Sequence, residues 1–335
     1  MRLSGSDSPA PDAVRPPSSS ASTRVSPAAA PPPWPVGRGL PSGPLYVLAS
    51  DDVYSVDVAS GLVEPLSLDH HFDPEQAVLT AMAPGILVWS GDGQPKRRLW
   101  FAGMTPEQPR GPLRSAVSVL PGSGEAVWTI AKQGGDSTKD AVWVSADDRG
   151  ATGPQVRVRG LAVPDGAGGL LDVEPMRVRH LEPGADGDVV GTHLEATGPD
   201  GLVLDLCAAD LCTRGLRDRT SGRVTALGPA TPPSPDDLVV FFDPGLLSPG
   251  NRFLAESASQ DGGFELRIST TRVPQEPIRM LPVGGRSTAI TWLSERWLVA
   301  TTADGLLLYD AVDDTIIAPS LPFQRPTQLV FQPST

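Results

Sequence analysis

The chain has 335 residues, 37 of them Pro and 35 Gly, with hydrophobic residues at 39 % and charged residues at 20 %. That hydrophobic share can build a real core, and the length suits one large all-β domain. A formal net charge of −12 argues against a nucleic-acid binder, which needs a basic surface, and equally against docking on an anionic membrane. Lys occurs only at Lys96, Lys132 and Lys139, the other cations being Arg, which reads as GC-rich coding rather than a functional demand.

Residues 1–44 contain 11 Pro, 9 Ser and 6 Ala, and Trp34 is their one aromatic. Such a segment buries too little apolar surface to offset the entropy of ordering it. The composition therefore predicts a disordered Pro/Ser/Ala-rich tail or tether over residues 1–44 and a folded domain over 45–335. Runs such as Pro31, Pro32 and Pro33 stay extended and act as spacers. No apolar run of signal-peptide length lies near Met1, and none approaches the ~18 residues of a spanning helix, so no direct membrane insertion is expected. Taken literally the chain is cytoplasmic. A Pro/Ser/Ala spacer before a β domain is nevertheless what commonly follows an anchor in exported proteins. An extracytoplasmic location, with an anchoring segment upstream of the given start, reconciles the two. The tail carries four Arg and two Asp, leaving −14 on residues 45–335.

From Leu45 onward, short runs rich in Val, Leu, Ile, Thr, Tyr and Trp alternate with Gly, Pro and Asp. Residues 45–50, 53–58, 86–90, 126–130, 141–145, 238–242, 297–302 and 306–309 read as strands, and no long apolar helical stripe is free of Gly or Pro. The domain is predicted all-β. Three segments share one pattern: Asp57, Ser60, Gly61 and Val63; Asp218, Ser221, Gly222 and Val224; and, more loosely, Asp310, Asp313, Asp314 and Ile316. Asp closes a strand, a turn follows with Gly supplying positive φ, and an apolar residue opens the next strand.

The 291 residues after the tail divide into seven units of about 42, the length of a four-stranded propeller blade. The units fall near 45–70, 75–112, 114–158, 159–184, 186–230, 236–283 and 286–321. Seven blades are the expectation; the fourth unit is short, and read instead as an irregular insertion it would leave six. Residues 327–332 form a lone strand at the end, while the first unit lacks a strand ahead of Leu45. The two anomalies explain each other if the last strand completes the first blade and closes the ring.

Leu247, Ser248, Pro249, Gly250, Asn251, Arg252, Phe253, Leu254 and Ala255 resemble the "SPDG…LA" strand–turn–strand of WD40-like propellers of the TolB type, with Gly250 where the family has Asp. Residues 45–335 as a whole resemble exported WD40-like propellers of high-GC bacteria. The resemblance implies a fold rather than an activity, and the Trp-Asp and Gly-His pairs of eukaryotic WD40 repeats are missing.

Cys207 and Cys212 are the two cysteines. A two-residue turn at Ala209 and Asp210 would set them opposite each other within disulfide range. A structural disulfide is the expectation, with two free thiols as the alternative. A metal site would need further ligands nearby, and redox chemistry favours Cys-x-x-Cys. A disulfide also favours an oxidising compartment.

His70 and His71, between Asp69 and Asp73, invite a metal reading in a blade-to-blade loop, as in lactonase-type propellers. On a strand they would point to opposite faces, and a solvated loop is the expectation. The other two histidines are His180 and His193. Ser259, Asp261 and Gly263 resemble the start of an Asp box, a turn-stabilising element. The pairs Asp51-Asp52, Asp147-Asp148, Asp236-Asp237 and Asp313-Asp314 suit turns better than Ca²⁺ sites. Trp89, Trp100, Trp128, Trp143, Trp292 and Trp297 lie in or beside strands, where they pack between blades. No nucleophile elbow or phosphate loop occurs. No catalytic residue, metal ligand or cofactor is therefore assigned. The expectation is a monomeric, non-catalytic binding propeller for an unknown protein or small ligand. A hydrolase or lactonase with its site at the channel mouth, built from residues without a local motif, is the alternative.

Overall fold

Short apolar runs with period two, closed by Asp and Gly, fold into antiparallel sheets. The computed structural model describes residues 33–49, 52–66, 77–83, 85–90, 98–102, 112–113, 116–131, 141–147, 149–184, 186–208, 211–230, 244–260, 263–283 and 289–334, and they contain no α-helix. The first sheet joins β1 (Pro44–Ala49), β2 (Asp52–Asp57) and β3 (Val63–Pro65) to the last of the described strands, β27 (Pro326–Phe331). The second holds β4 (Ala77–Met82), β5 (Gly85–Ser90) and β6 (Arg98–Ala102). The third is β7 (Ala116–Pro121), β8 (Ala126–Ala131), β9 (Ala141–Asp147) and β10 (Thr152–Val158). The fourth is β11 (Leu161–Pro164), β12 (Leu170–Glu174), β13 (Arg177–His180) and β14 (Asp188–Gly191).

An eight-stranded sheet follows. One half is β15 (His193–Thr197), β16 (Gly201–Ala208), β17 (Leu211–Asp218) and β18 (Val224–Ala230). The other is β19 (Gly245–Leu247), β20 (Phe253–Gln260), β21 (Gly263–Thr270) and β22 (Val273–Pro282), and β15 meets β19 in a short parallel ladder at Ala196–Gly245 and Thr197–Leu246. The final sheet is β23 (Ile290–Trp292), β24 (Trp297–Thr302), β25 (Gly305–Asp310) and β26 (Thr315–Ile317).

The first strands of these units converge. β27 touches β4, β4 touches β7, β7 touches β11, β15 touches β19, β19 touches β23, and β23 returns to β27. Each sheet thus starts at a common centre and meanders outward, a propeller-like arrangement.

Apolar clusters fill the seams between consecutive sheets. Leu48 and Val53 meet Ile86 and Val88 between the first and second, and Met82 and Leu87 meet Leu113 and Val127 between the second and third. Trp128 and Trp143 meet Leu170 and Leu181 at the next seam, and Val173 and Val178 meet Leu194 and Leu204 beyond it. Only Ala196, Val203, Leu247 and Leu254 form the buried cluster joining the two halves of the eight-stranded sheet. Phe253 and Ile268 meet Leu298 and Tyr309, and Leu45 and Val47 meet Trp297 and Val299, which brings the last sheet back to the first.

Hydrogen bonds reinforce the seams. Ala83 N–H donates to the Gly124 carbonyl (2.9 Å), and Trp128 Nε1 to that of Gly168 (2.8 Å). Gly250 N–H donates to Asp200 (2.8 Å), and Arg252 N–H to Glu295 (3.1 Å). Gln328 of β27 accepts from Leu79 N–H of β4 at 2.7 Å.

The C-terminal strand lies beside β1, with Leu45 opposite Phe331 and Val47 opposite Leu329. Leu329 and Phe331 pack toward the seam with the last sheet, while Val330 packs toward the second sheet. The strand thus serves two seams, one on each face, with residues 327–331 half-buried.

Two boundaries differ from the sequence expectation. Residues 33–43, assigned by composition to the tail, pack on the first and last sheets. Trp34 donates through Nε1 to the Val58 carbonyl (2.8 Å), and Leu40 joins the cluster around Trp297, whose own Nε1 donates to the Arg38 carbonyl (3.2 Å). Gly61, at φ 76°, leaves the space that the Trp34 ring occupies. Tryptophan supplies the apolar area that the surrounding Pro and Ser lack. The fourth unit is bounded differently as well, four strands forming one sheet. Its fourth strand, Asp188–Gly191, lies in the segment given to the fifth unit, because Gly184 and Gly187 punctuate a turn inside the sheet. Residues 1–32, the run 238–242, the pair His70-His71, and Asp51, Asp148, Asp236, Asp237 and Asp261 lie outside the described residues.

Candidate functional site

The aligned turns are one structural device. Asp57 accepts from Ala59 N–H (2.9 Å) and Ser60 Oγ (3.0 Å), and Gly61 N–H returns to the Asp57 carbonyl (2.7 Å). Asp218 accepts from Ser221 N–H (2.7 Å) and Ser221 Oγ (2.6 Å), and Gly222 N–H bonds back to its carbonyl (2.9 Å). Asp310 accepts from Val312 and Asp313 N–H, with Asp314 at φ 48° in the Gly place. A further copy, one residue shorter, has Asp147 accepting from Ala151 N–H (2.8 Å), with Gly150 at φ 77°. All four join the third strand of a unit to its fourth, so these carboxylates serve turns. In the TolB-like segment, Ser248 is fully buried and its Oγ accepts from Phe253 N–H at 3.0 Å across the turn made by Gly250 and Asn251.

Cys207 and Cys212 are direct partners in the β16–β17 ladder, with Cα atoms 4.0 Å apart and their sulfurs joined. The short separation marks a non-hydrogen-bonded pair, and Cys207 N–H accordingly turns away to Thr192 Oγ1 (3.2 Å). The tryptophans are seam residues: Trp128, Trp143, Trp292 and Trp297 lie in buried clusters and Trp89 packs against one, while the Trp100 side chain lies outside the described residues.

Ionisable groups at the centre single out one place. Among the converging strands β27, β4, β7, β11, β15, β19 and β23, only β15 carries ionisable side chains, His193 and Glu195. Glu195 is the extra residue of a β-bulge, between Leu194 opposite Leu204 and Ala196 opposite Val203. Bulges re-aim side chains, and they gather near functional sites.

The Glu195 carboxylate meets Arg214 of β17 at 2.7 Å, and the same guanidinium holds Asp205 of β16 at 3.1 Å. His193 stands 3.9 Å from Glu195. Glu256 of β20 adds its charge from the facing half-sheet, with Arg267 opposite it on β21. Burial pushes the Glu195 carboxyl up; Arg214 pulls it down, and Asp205 and Glu256 push it up again, to about 7. Against burial, Glu195 and Asp205 hold Arg214 above its ordinary value, so the guanidinium stays charged. Burial raises Glu256 too, opposed by Arg267 and Arg214. A carboxyl poised near neutrality at the centre of such a fold can take or give a proton under ordinary conditions.

A second cluster has the opposite character. Asp165, in the turn after β11, accepts from Arg219 Nη1 (2.8 Å) and from Ala167 and Gly169 N–H, with His180 Nε2 at 3.3 Å. Burial would raise it, but His180, these amides and Arg219 hold it down at about 2. Asp172 accepts from Arg179 (2.7 Å) and Gly160 N–H (2.7 Å), and Asp310 from Arg296 Nε (2.8 Å). These groups fasten strands and loops.

Sequence reading assigned no role to His180 or His193 and did not find Glu195, Asp205, Arg214 or Glu256. One signal was present: an ionisable pair in a first strand where every other first strand has none.

No family model and no curated protein sequence matches the chain. Among solved structures, it is similar to a putative 6-phosphogluconolactonase from Bacteroides uniformis, at 13 % identity and a TM-score of 0.46 over 87 % of this chain and 99 % of that one. It is similar to the periplasmic gluconolactonase PpgL of Pseudomonas aeruginosa, at 15 % identity and 0.45 over 86 % and 98 %. TolB from Acinetobacter baumannii is 13 % identical, with 0.41 over 71 % and 64 %. The likeness is one of fold. At these values it says nothing about chemistry, which rests on the residues above.

Proposed function

We propose that the protein is a binding propeller of seven units that presents its ring to a protein or small-ligand partner, with no catalytic role for its fastened carboxylates. The observation that carries this reading is the use of its buried acids. Asp165, Asp172 and Asp310 are each tied to an arginine of a neighbouring loop or strand. Charges spent in this way make a stiff platform, and preorganisation is what a binding surface needs. Seven apolar clusters in cyclic order support seven units. The cross-strand cysteine pair supports an oxidising, extracytoplasmic location.

Glu195 favours a second reading, a hydrolase or lactonase working at the channel mouth with this carboxyl as its proton donor and acceptor. One experiment separates the two. The full chain is assayed for hydrolysis of glucono-δ-lactone at pH 7, beside Glu195→Gln. The binding reading expects no turnover above the buffer rate in either. Turnover that Glu195→Gln abolishes, with an unchanged melting temperature, would replace it with the hydrolase.

A further inference from the structure

The face that β16 and β17 turn toward β20 changes character along its length. Successive facing pairs are Val203–Leu216, Asp205–Arg214 and Cys207–Cys212, which by strand alternation share one side of the sheet. The seam is therefore apolar at one end, ionic in the middle and covalently stapled within one of its hairpins at the other. Among the described residues its buried cluster has four members, the fewest of the seven, where the seams on either side of the last sheet have twelve each. Beside Leu247 and Leu254, this seam places Glu195, Asp205, Arg214, Glu256 and Arg267.

We propose that the seam between β15–β18 and β19–β22 is a proton-operated latch, closed when Glu195 carries a proton and loosened when it loses it. This is independent of what the ring binds. The groups facing Glu195 are His193 on its own strand, Asp205 on β16, Arg214 on β17, and Glu256 on β20 with Arg267 beside it; β19 brings no ionisable side chain. Against its other face, β13 packs where Val178 meets Leu194 in an apolar cluster. With Glu195 protonated, two carboxylates balance two guanidiniums. Deprotonation adds a third negative charge to a low-dielectric seam held by little apolar surface and a two-pair parallel ladder.

The sign follows from the direction of the shift. Glu195 holds its proton more tightly in the closed seam than in an opened one, up to about 7 against an ordinary 4.5. The stabilisation is complete below the ordinary value and is lost as pH rises through the closed-state value.

Amide hydrogen exchange on the full chain, expressed as protection factors, tests this. Protection at Ala196, Thr197 and Leu246 should fall at least tenfold between pH 5 and pH 7.5 and level off above, while Leu298 and Leu308 in the last sheet change less than twofold. Glu195→Gln, which mimics the protonated carboxyl, should hold protection high throughout. Carbon-13 titration of the wild-type glutamate carboxyls should show one transition near neutrality, and it decides the matter if the variant does not fold. Parallel behaviour of the two amide sets, retained pH dependence in Glu195→Gln, or titration of every glutamate between pH 4 and 5 would each overturn the latch.

Discussion

Asp165 and Glu195 show how place sets the behaviour of one functional group. Asp165 sits in a turn where backbone N–H groups and Arg219 converge on it, so its charge is the better-solvated form, whereas Glu195 shares Arg214 with another acid. A carboxyl held at about 2, below its ordinary 3.8, contributes stability that is present above pH 4 and lost as pH falls through 2. That contribution is about 2 kcal/mol. Arg219→Ala leaves the buried Asp165 with its amides and His180 but without a full countercharge. It should cost about 3 kcal/mol at pH 7. Thermal melts should show a loss of roughly 6 °C, and the loss should shrink toward pH 3 as Asp165 of the variant, freed of the Arg219 charge, takes up its proton. An equal loss at both pH values would mean that Arg219 acts by packing alone.

Edge strands account for part of the proline content. Pro65 in β3, Pro154 in β10, Pro229 in β18, and Pro274, Pro277 and Pro282 in β22 all lie in strands with one free edge. A proline there gives up an N–H that the ladder does not need and blunts pairing with another chain. The innermost element behaves differently. Gln328 bonds across to β4, and the residues around it fill two seams. Deleting residues 326–335 should lower the melting temperature by several degrees or give insoluble protein. Trp34→Ala should cost about 2 kcal/mol, because the ring fills the space above Gly61 and bonds Val58. If Trp34→Ala melts with the wild type, residues 33–43 contribute nothing to the fold.

Much of the architecture is legible in the sequence. The strand around Leu45 alternates in burial, the run around Leu306 is apolar throughout, and the missing strand at one end matches the spare strand at the other. Trp34 was hidden because a composition average over 44 residues outweighs one large side chain. The fourth sheet was blurred because its strands have only four or five residues and glycines lie within it. The charged seam was invisible for a deeper reason. His193, Glu195, Asp205, Arg214 and Glu256 come from four strands in two half-sheets, and no local pattern joins residues that only folding brings together.

Across the whole molecule, the seams differ in what holds them. Three rest on clusters rich in aromatic side chains, while one rests on ion pairs beside a disulfide-closed hairpin. The cysteine pair should be oxidised in protein taken from its native compartment. After unfolding without reductant, thiol titration should find less than 0.2 free thiol per chain, about a tenth of the reduced value, whereas two reactive thiols would count against an oxidising location.

The strand that completes the first sheet is made long after β1. Thr327 donates its hydroxyl to the Leu48 carbonyl across 279 positions of chain. At synthesis rates of about 5–20 residues per second, β1 waits on the order of 15–60 seconds for its inner neighbour to leave the ribosome. During that interval its edge is open, and a nascent chain beside it offers the same open edge. Truncated or stalled products would therefore be the natural source of aggregates, and a chaperone that shields this end of the nascent chain would have one strand to cover.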